Sequence, residues 1–442
     1  MKAFSMNLHT RLGLHKAIRA LFILFPACGF SPLASQPLPA NRDEARVHVF
    51  VLPDPLVLSS GESVRDNRTW NKKRSREIVA LLGTQMYGRT PSGKASVKFE
   101  MRDTDNQALG GKAIRKQVAV HIRRGGKQAT IDVLMYLPNP HPGKSPCFLG
   151  LNFEGNHAVH PDPGIFLARS WMPNDSSLGI TENRATEASR ASESSRWPVE
   201  RILDRGYGVV TAYYGDLDPD YHDGFQNGLH PLFYRKGQNT PDTDQWGSIG
   251  AWAWGLCRIL DYLEKDRDVD AGRVAVIGHS RLGKAALWAG AQDKRFAMVV
   301  SNNSGCGGAA LSKRIFGETV ALINDRFPHW FCGNFKQYND REDKLPFDQH
   351  FLLALIAPRP LYVASAEEDW WADPRGEFLA ARHADTVYRL LAGSGLETDM
   401  MPEPNRPVMD GLIGYHIRSG VHDVTLFDWE RYMDFADQWM KK

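Results

Sequence analysis

Val274-Ala-Val-Ile-Gly-His-Ser-Arg-Leu-Gly-Lys284 restricts the fold more than any other stretch of the chain. Four apolar residues run into Gly278, a short polar turn follows, and Leu282 to Gln292 continues as a helix pattern. A strand without polar alternation is buried on both faces, and a strand passing straight into a helix is half of a βα unit. Cys147 to Phe153 and Tyr207 to Tyr214 have the same continuously apolar character, and Phe296 to Ser301 and Arg359 to Ser365 add two further strands. Lys116 to Ile122 and Ala129 to Leu137 alternate instead and suit an antiparallel pair. Helices are expected from Ser75 to Met86, with Ile78, Leu81 and Leu82 on one side, and from Gly250 to Lys265. In the second, Trp252, Leu256, Ile259 and Leu263 form a core stripe. Repeated strand-to-helix alternation predicts an α/β fold, an open and mostly parallel sheet with helices on both faces.

Composition bears on location and partners. Lys2, Arg11, Lys16 and Arg19 precede any acidic residue and account for the excess of 54 basic over 51 acidic side chains. Without them the chain is close to neutral, which gives no electrostatic footprint for nucleic acid. The basic start, the short apolar run Ala20 to Ala27 and small residues near Ser31 to Ser35 predict a signal peptide over 1–35 and a secreted or periplasmic protein. Cys28 leaves lipid anchoring as an alternative; the apolar run is too short for a stable membrane span. Residues 36–60 are proline-rich and predict a linker or N-terminal extension. Residues 61–442 form one catalytic domain, with an irregular surface insertion at about 156–198, and a monomer is expected. Export makes Cys147, Cys257, Cys306 and Cys332 candidates for disulfides; Cys306 with Cys332 is the favoured bridge and buried thiols are the alternative.

The turn at Ser280 presents a serine at a helix N-terminus, where the Arg281 amide can face developing negative charge. The second glycine of the usual G-x-S-x-G elbow is displaced by one place, to Gly283. A serine nucleophile needs a base and an acid that orients it. The histidines after Ser280 are His329, His350, His383, His416 and His422. His422, in a Gly-containing loop before the C-terminal helix, is the candidate base, with His416 as its main competitor and His383 assigned to a charged helix. Asp369 follows the strand Pro360 to Ser365 at its carboxyl end and is the candidate acid; Glu367, Glu368 and Asp373 are alternatives. Trp370 or Trp371 is expected to wall a pocket. No H-E-x-x-H, P-loop or G-x-G-x-x-G motif calls for a metal or a nucleotide cofactor.

Gly278-His-Ser-Arg-Leu-Gly-Lys284, Ser301-Asn-Asn-Ser-Gly-Cys-Gly-Gly308, Glu368-Asp-Trp-Trp-Ala-Asp-Pro374 and Gly420-Val-His-Asp423 together resemble bacterial glucuronoyl esterases, carbohydrate esterase family 15. The resemblance implies an α/β-hydrolase fold and cleavage of the ester joining 4-O-methyl-glucuronic acid of glucuronoxylan to lignin alcohols. It implies Ser280 as nucleophile, His422 as base, and the Arg281 side chain beside its amide as oxyanion donor. It also implies that Lys284, Glu318 and Trp371 hold the uronate ring. Fungal members carry their acid where this chain has Asn303. An amide cannot play that part, so the resemblance leaves Asp369 as the acid and Asn303 as a hydrogen-bonding neighbour. An acetyl xylan or other carbohydrate esterase is the alternative function, and a non-catalytic carbohydrate-binding protein a remote one.

Overall fold

Neighbouring residues of the central strands enter two different cores. Val133 and Met135 pack into one, Leu134 and Tyr136 into the other; Leu149 and Phe148, Val276 and Ala275, Val299 and Val300, and Val363 and Tyr362 divide in the same way. Period-two alternation between two apolar clusters is what a sheet covered on both faces requires. The computed structural model describes residues 40–140 and 143–441; the expected signal peptide with its cleavage site, and Cys28, lie outside them.

The nine strands are β1 Ser96–Ala108, β2 Ala113–Arg124, β3 Lys127–Pro138, β4 Ser145–Asn152 and β5 Gly208–Tyr213, then β6 Val269–His279, β7 Met298–Asn302, β8 Leu361–Ala366 and β9 Ile413–Arg418. Their order in the sheet is β1-β2-β3-β5-β4-β6-β7-β8-β9. The first four are joined by antiparallel pairing and the rest are parallel. β2 and β3 are the expected hairpin, with Arg124 opposite Lys127 around Gly125-Gly126. The sequence did not signal β1 or β9. β1 is an edge strand rich in Asp, Lys and Arg, residues that protect a sheet edge. β9 carries His416 and Arg418 inside, and both are satisfied by the buried Asp428.

Helix α1 (Ser75–Gln85) buries Ile78 and Leu82, with Leu81 partly covered; α2 (Ser248–Leu263) buries all four residues of its predicted stripe. Removing a side chain such as Trp252 would cost about 3–5 kcal/mol. The elbow helix α3 (Arg281–Gln292) packs against α2 and β6. Three more helices bear on the site: α4 Val320–Arg326, α5 Pro374–Ala392 and α6 Leu426–Trp439.

Two expectations need correction. Residues 40–60 do not hang free as a linker but lie along the body. Apart from one 3-10 turn, Glu44–Arg46, they are extended or irregular, and their carbonyls accept from Gly317 N (to Asn41, 2.9 Å), His350 Nε2 (to Pro53, 2.9 Å) and Arg74 Nε (to Pro55, 3.0 Å). Cys306 and Cys332 are not bridged: all four described cysteines are buried free thiols, and the Cys332 sulfur sits 3.8 Å from the Thr84 carbonyl. Burial pushes their thiols above the ordinary range, Cys332 to about 11, so they stay protonated and unreactive.

Candidate active site

Ser280 joins β6 to α3 with φ 55° and ψ −128°, a conformation costly for a residue with a side chain. The two glycines of the motif make the turn possible. A Cβ on Gly278 would lie 2.0 Å from the Leu282 carbonyl oxygen, and one on Gly283 would lie 2.9 Å from Ser304 Cβ and 3.0 Å from the Gly278 oxygen. The glycine is therefore needed at 283, where helix meets strand and the β7 turn, while Leu282 points into the core. The first amides of α3, that of Arg281 among them, have no intrahelical acceptor and face the strand end.

The next three strands each deliver one residue to the same place. Asn303 follows β7, Asp369 follows β8 by three residues, and His422 follows β9 by four. These strands are consecutive neighbours in the sheet, so residues distant in sequence meet at one carboxyl edge. His422 Nδ1 lies 2.6 Å from Asp369 Oδ2, and Asn303 Nδ2 donates to that oxygen at 2.8 Å. Burial acts to raise the Asp369 carboxyl, but the His422 and Asn303 hydrogen bonds outweigh it and hold it below the usual carboxylate range. An ionised carboxylate only accepts, so Nδ1 carries the proton and Nε2 is left as a base. The Asp369 side chain is 4% exposed and that of His422 41%.

Ser280, Arg281, Lys284, Asn303, Glu318, Asp369, Trp371 and His422 all line one cleft of about 310 Å³. Lys284 is buried, donates to the Ser304 carbonyl at 2.5 Å and stands 5.8 Å from the Trp330 ring centre. Burial lowers its pKa while Glu318 opposes the shift; burial raises the Glu318 carboxyl against the pull of Lys284. The backbone ties Glu318 to Trp371, whose carbonyl accepts from the Glu318 amide at 3.0 Å. Trp370 turns to the other side, its ring covered by Arg42 at 3.5 Å. The Arg281 guanidinium pairs with Asp220 and stands 5.0–5.6 Å from the ring centres of Trp330, Phe153 and Phe327.

The rival candidates lie elsewhere. His416 is fully buried between Tyr362 and Asp428, and His383 sits on α5 beside His350. Asp373 is paired with Arg314 at 2.9 Å and caps α5; Glu367 and Glu368 are exposed. The cleft also contains Arg326, Phe327 and Trp330, which sequence reasoning did not single out. Asp220, too, was missed, although Tyr214-Gly-Asp-Leu-Asp-Pro-Asp220 follows β5 at the same carboxyl edge that made Asp369 a candidate. The predicted insertion holds only short 3-10 turns, and its Arg196 pairs at 2.7 Å with Asp423, next to His422.

Residues 233–392 match the family model described as glucuronyl esterase, fungi. The chain is 51% identical over 406 residues to a carbohydrate esterase from an unknown prokaryotic organism, covering 92% of this chain and 93% of the relative. Among solved structures it is similar to a promiscuous esterase of carbohydrate esterase family 15 from a marine bacterial metagenome, with TM-score 0.85, 52% identity and coverage of 91% and 100% of the two chains. It is also similar to a glucuronoyl esterase from Solibacter usitatus, with TM-score 0.83, 49% identity and coverage of 89% and 100%. With its serine elbow and nine-stranded, mostly parallel sheet, the chain belongs to carbohydrate esterase family 15 and has the α/β-hydrolase fold.

Proposed function

We propose that the chain hydrolyses esters of (4-O-methyl-)glucuronic acid, the linkage between glucuronoxylan and lignin alcohols, through a covalent acyl-enzyme. The observation that carries this is the meeting of Ser280, the His422–Asp369 pair and the buried Lys284 in one cleft. His422 Nε2 takes the proton of Ser280 as Oγ attacks the ester carbonyl. The oxyanion formed is stabilised by the Arg281 amide and side chain, and Asp369 stabilises the imidazolium. Collapse of the intermediate expels the alcohol, which takes the proton from His422 and leaves the uronoyl group on Ser280. Water, deprotonated by His422, then attacks the acyl carbon and restores the serine.

Lys284, Glu318 and Trp371 provide a donor, an acceptor and an apolar wall for the hydroxyls and face of a sugar ring, which an acetyl group would leave unused. Asn303 completes the site by holding Asp369. The N-terminal leader pattern supports export, where buried protonated thiols resist oxidation. Hydrolysis of benzyl glucuronate, methyl glucuronate, benzyl galacturonate and acetylated xylan tests the reading. Preference for the glucuronate esters, with Ser280→Ala reducing kcat/KM by about 10⁴-fold or more, is expected. Faster release of acetate, or full turnover by Ser280→Ala, would overturn it.

A further inference from the structure

Arg281 is the residue whose placement needs explaining. Its guanidinium lies amid three aromatic rings, and Asp220 is its only ion-pair partner among the described residues. Asp220 comes from the loop after β5, 61 residues earlier in the chain. Its side chain is 5% exposed and both its oxygens are fully engaged. Oδ1 accepts from His329 Nε2 at 2.8 Å and from Trp330 Nε1 at 2.6 Å; Oδ2 accepts from Arg281 Nη1 and from the Tyr214 hydroxyl at 3.3 Å. A carboxylate receiving four donors from three directions of the fold can neither rotate nor shift.

The other end of the guanidinium is different. Arg281 Nε is buried and has no hydrogen-bond partner, although the residue lines the cleft beside Ser280. An unpaired buried donor costs about 1–3 kcal/mol, and this one, unlike the others in the fold, belongs to the residue that follows the nucleophile and lines its cleft. Stability alone does not account for the arrangement, since a buried ion pair gains little over apolar residues of the same volume. We propose that Asp220 is a positioning residue for the ester chemistry: by clamping Nη1 it fixes Arg281 so that the free Nε–H is presented to the oxyanion formed on the Ser280 adduct. The inference rests on the reading of Ser280 as nucleophile. His329 and Trp330 act one step further out, by holding Asp220.

Asp220→Asn keeps the volume and removes the charge. With benzyl glucuronate as substrate, kcat is expected to fall about 30- to 100-fold while KM stays within about threefold, because an oxyanion contact exists only in the transition state. Arg281→Met should lose at least as much. In the Arg281→Met background, Asp220→Asn should change kcat by less than about threefold, since the two residues act as one unit. Far-UV circular dichroism and Tm establish that each variant is folded. Should Asp220→Asn fail to fold, His329→Phe removes one donor to Asp220 outside the cleft and should lower kcat about three- to tenfold at unchanged KM. A kcat for the folded Asp220→Asn protein within threefold of the parent overturns the proposal. So does an equal loss in the Arg281→Met background, a loss confined to KM, or, if the second variant is used, an unchanged kcat for His329→Phe. Ser280→Ala separates the two levels: turnover at the parent's rate there refutes the nucleophile, whereas its loss together with an unaffected Asp220→Asn refutes only the clamp.

Discussion

Two of the histidine–carboxylate pairs have their histidines only six residues apart in the chain, His416 and His422, and they do opposite things. His416 Nε2 lies 2.8 Å from Asp428, its Nδ1 meets the Tyr362 hydroxyl at 2.9 Å, and neither pair member has any exposed side-chain surface. Asp428 also accepts from Arg418 at 2.9 Å and from the Thr425 amide and hydroxyl at 2.7 and 2.8 Å. Every polar atom there has a partner, and burial lowers the His416 pKa against the pull of Asp428. His422 has the same kind of carboxylate at 2.6 Å, but its side chain is 41% exposed and its ring lines the cleft. What separates a base from a structural brace is the nitrogen left without work.

Removing each imidazole breaks the comparison most directly. His422→Ala should lower kcat/KM by about 10³- to 10⁴-fold with Tm nearly unchanged. Asp369→Asn should cost about 10³-fold, since the amide can neither fix the tautomer nor stabilise the imidazolium. Adding Asn303→Asp to Asp369→Asn should restore about tenfold of that loss, because residue 303 already reaches the Asp369 position from the adjacent strand. No recovery would mean that strand β8 alone can serve His422. His416→Ala should do the reverse of His422→Ala. It leaves Asp428 partly uncompensated and should cost about 3 kcal/mol in denaturant unfolding, with kcat/KM of the folded protein within about threefold.

The smallest effect concerns a third buried carboxyl, Glu377 on α5. It accepts from Gly305 N at 2.9 Å and from Ser365 Oγ at 2.6 Å, and burial pushes it up to about 8. A glutamate raised above its ordinary value of 4.5 keeps its proton in the folded state while the unfolded chain releases it. Its contribution is complete at low pH and is lost as pH rises towards about 8. Relative to Glu377→Gln, the parent should therefore be most stable near pH 5 and lose a few degrees of Tm by about pH 8.5. A constant difference in Tm across that range would show that Glu377 does not titrate differently on folding.

Where the chemistry was local, the sequence was legible. The apolar run into Gly278, the alternation of β2 and β3 and the helical stripe of α2 each follow from periodicity within a dozen residues. Ser280 and Asp369 could be found because each sits just past a recognisable strand. His422 was preferred to His416 on its loop position alone, because the difference between their surroundings lies in what Tyr362 and the cleft supply from elsewhere in the fold. β9 was hidden for a related reason: its interior His and Arg look polar until Asp428, ten residues on from Arg418, neutralises them. The favoured disulfide failed because position along a loop says nothing about which way two sulfurs face.

The packing of residues 40–60 decides how far the chain can be trimmed. Asn41 holds the Gly317 amide next to Glu318, Arg42 covers Trp370 directly after Asp369, and Glu44 pairs with Arg314, which in turn holds Asp373. The stretch braces the loops that carry Glu318 and Trp371 and is not among the residues that line the cleft. A shortened protein for crystallisation or process use should therefore start upstream of Asn41. One beginning at residue 61 would keep every residue assigned to the reaction and lose the strap across the loops that carry them.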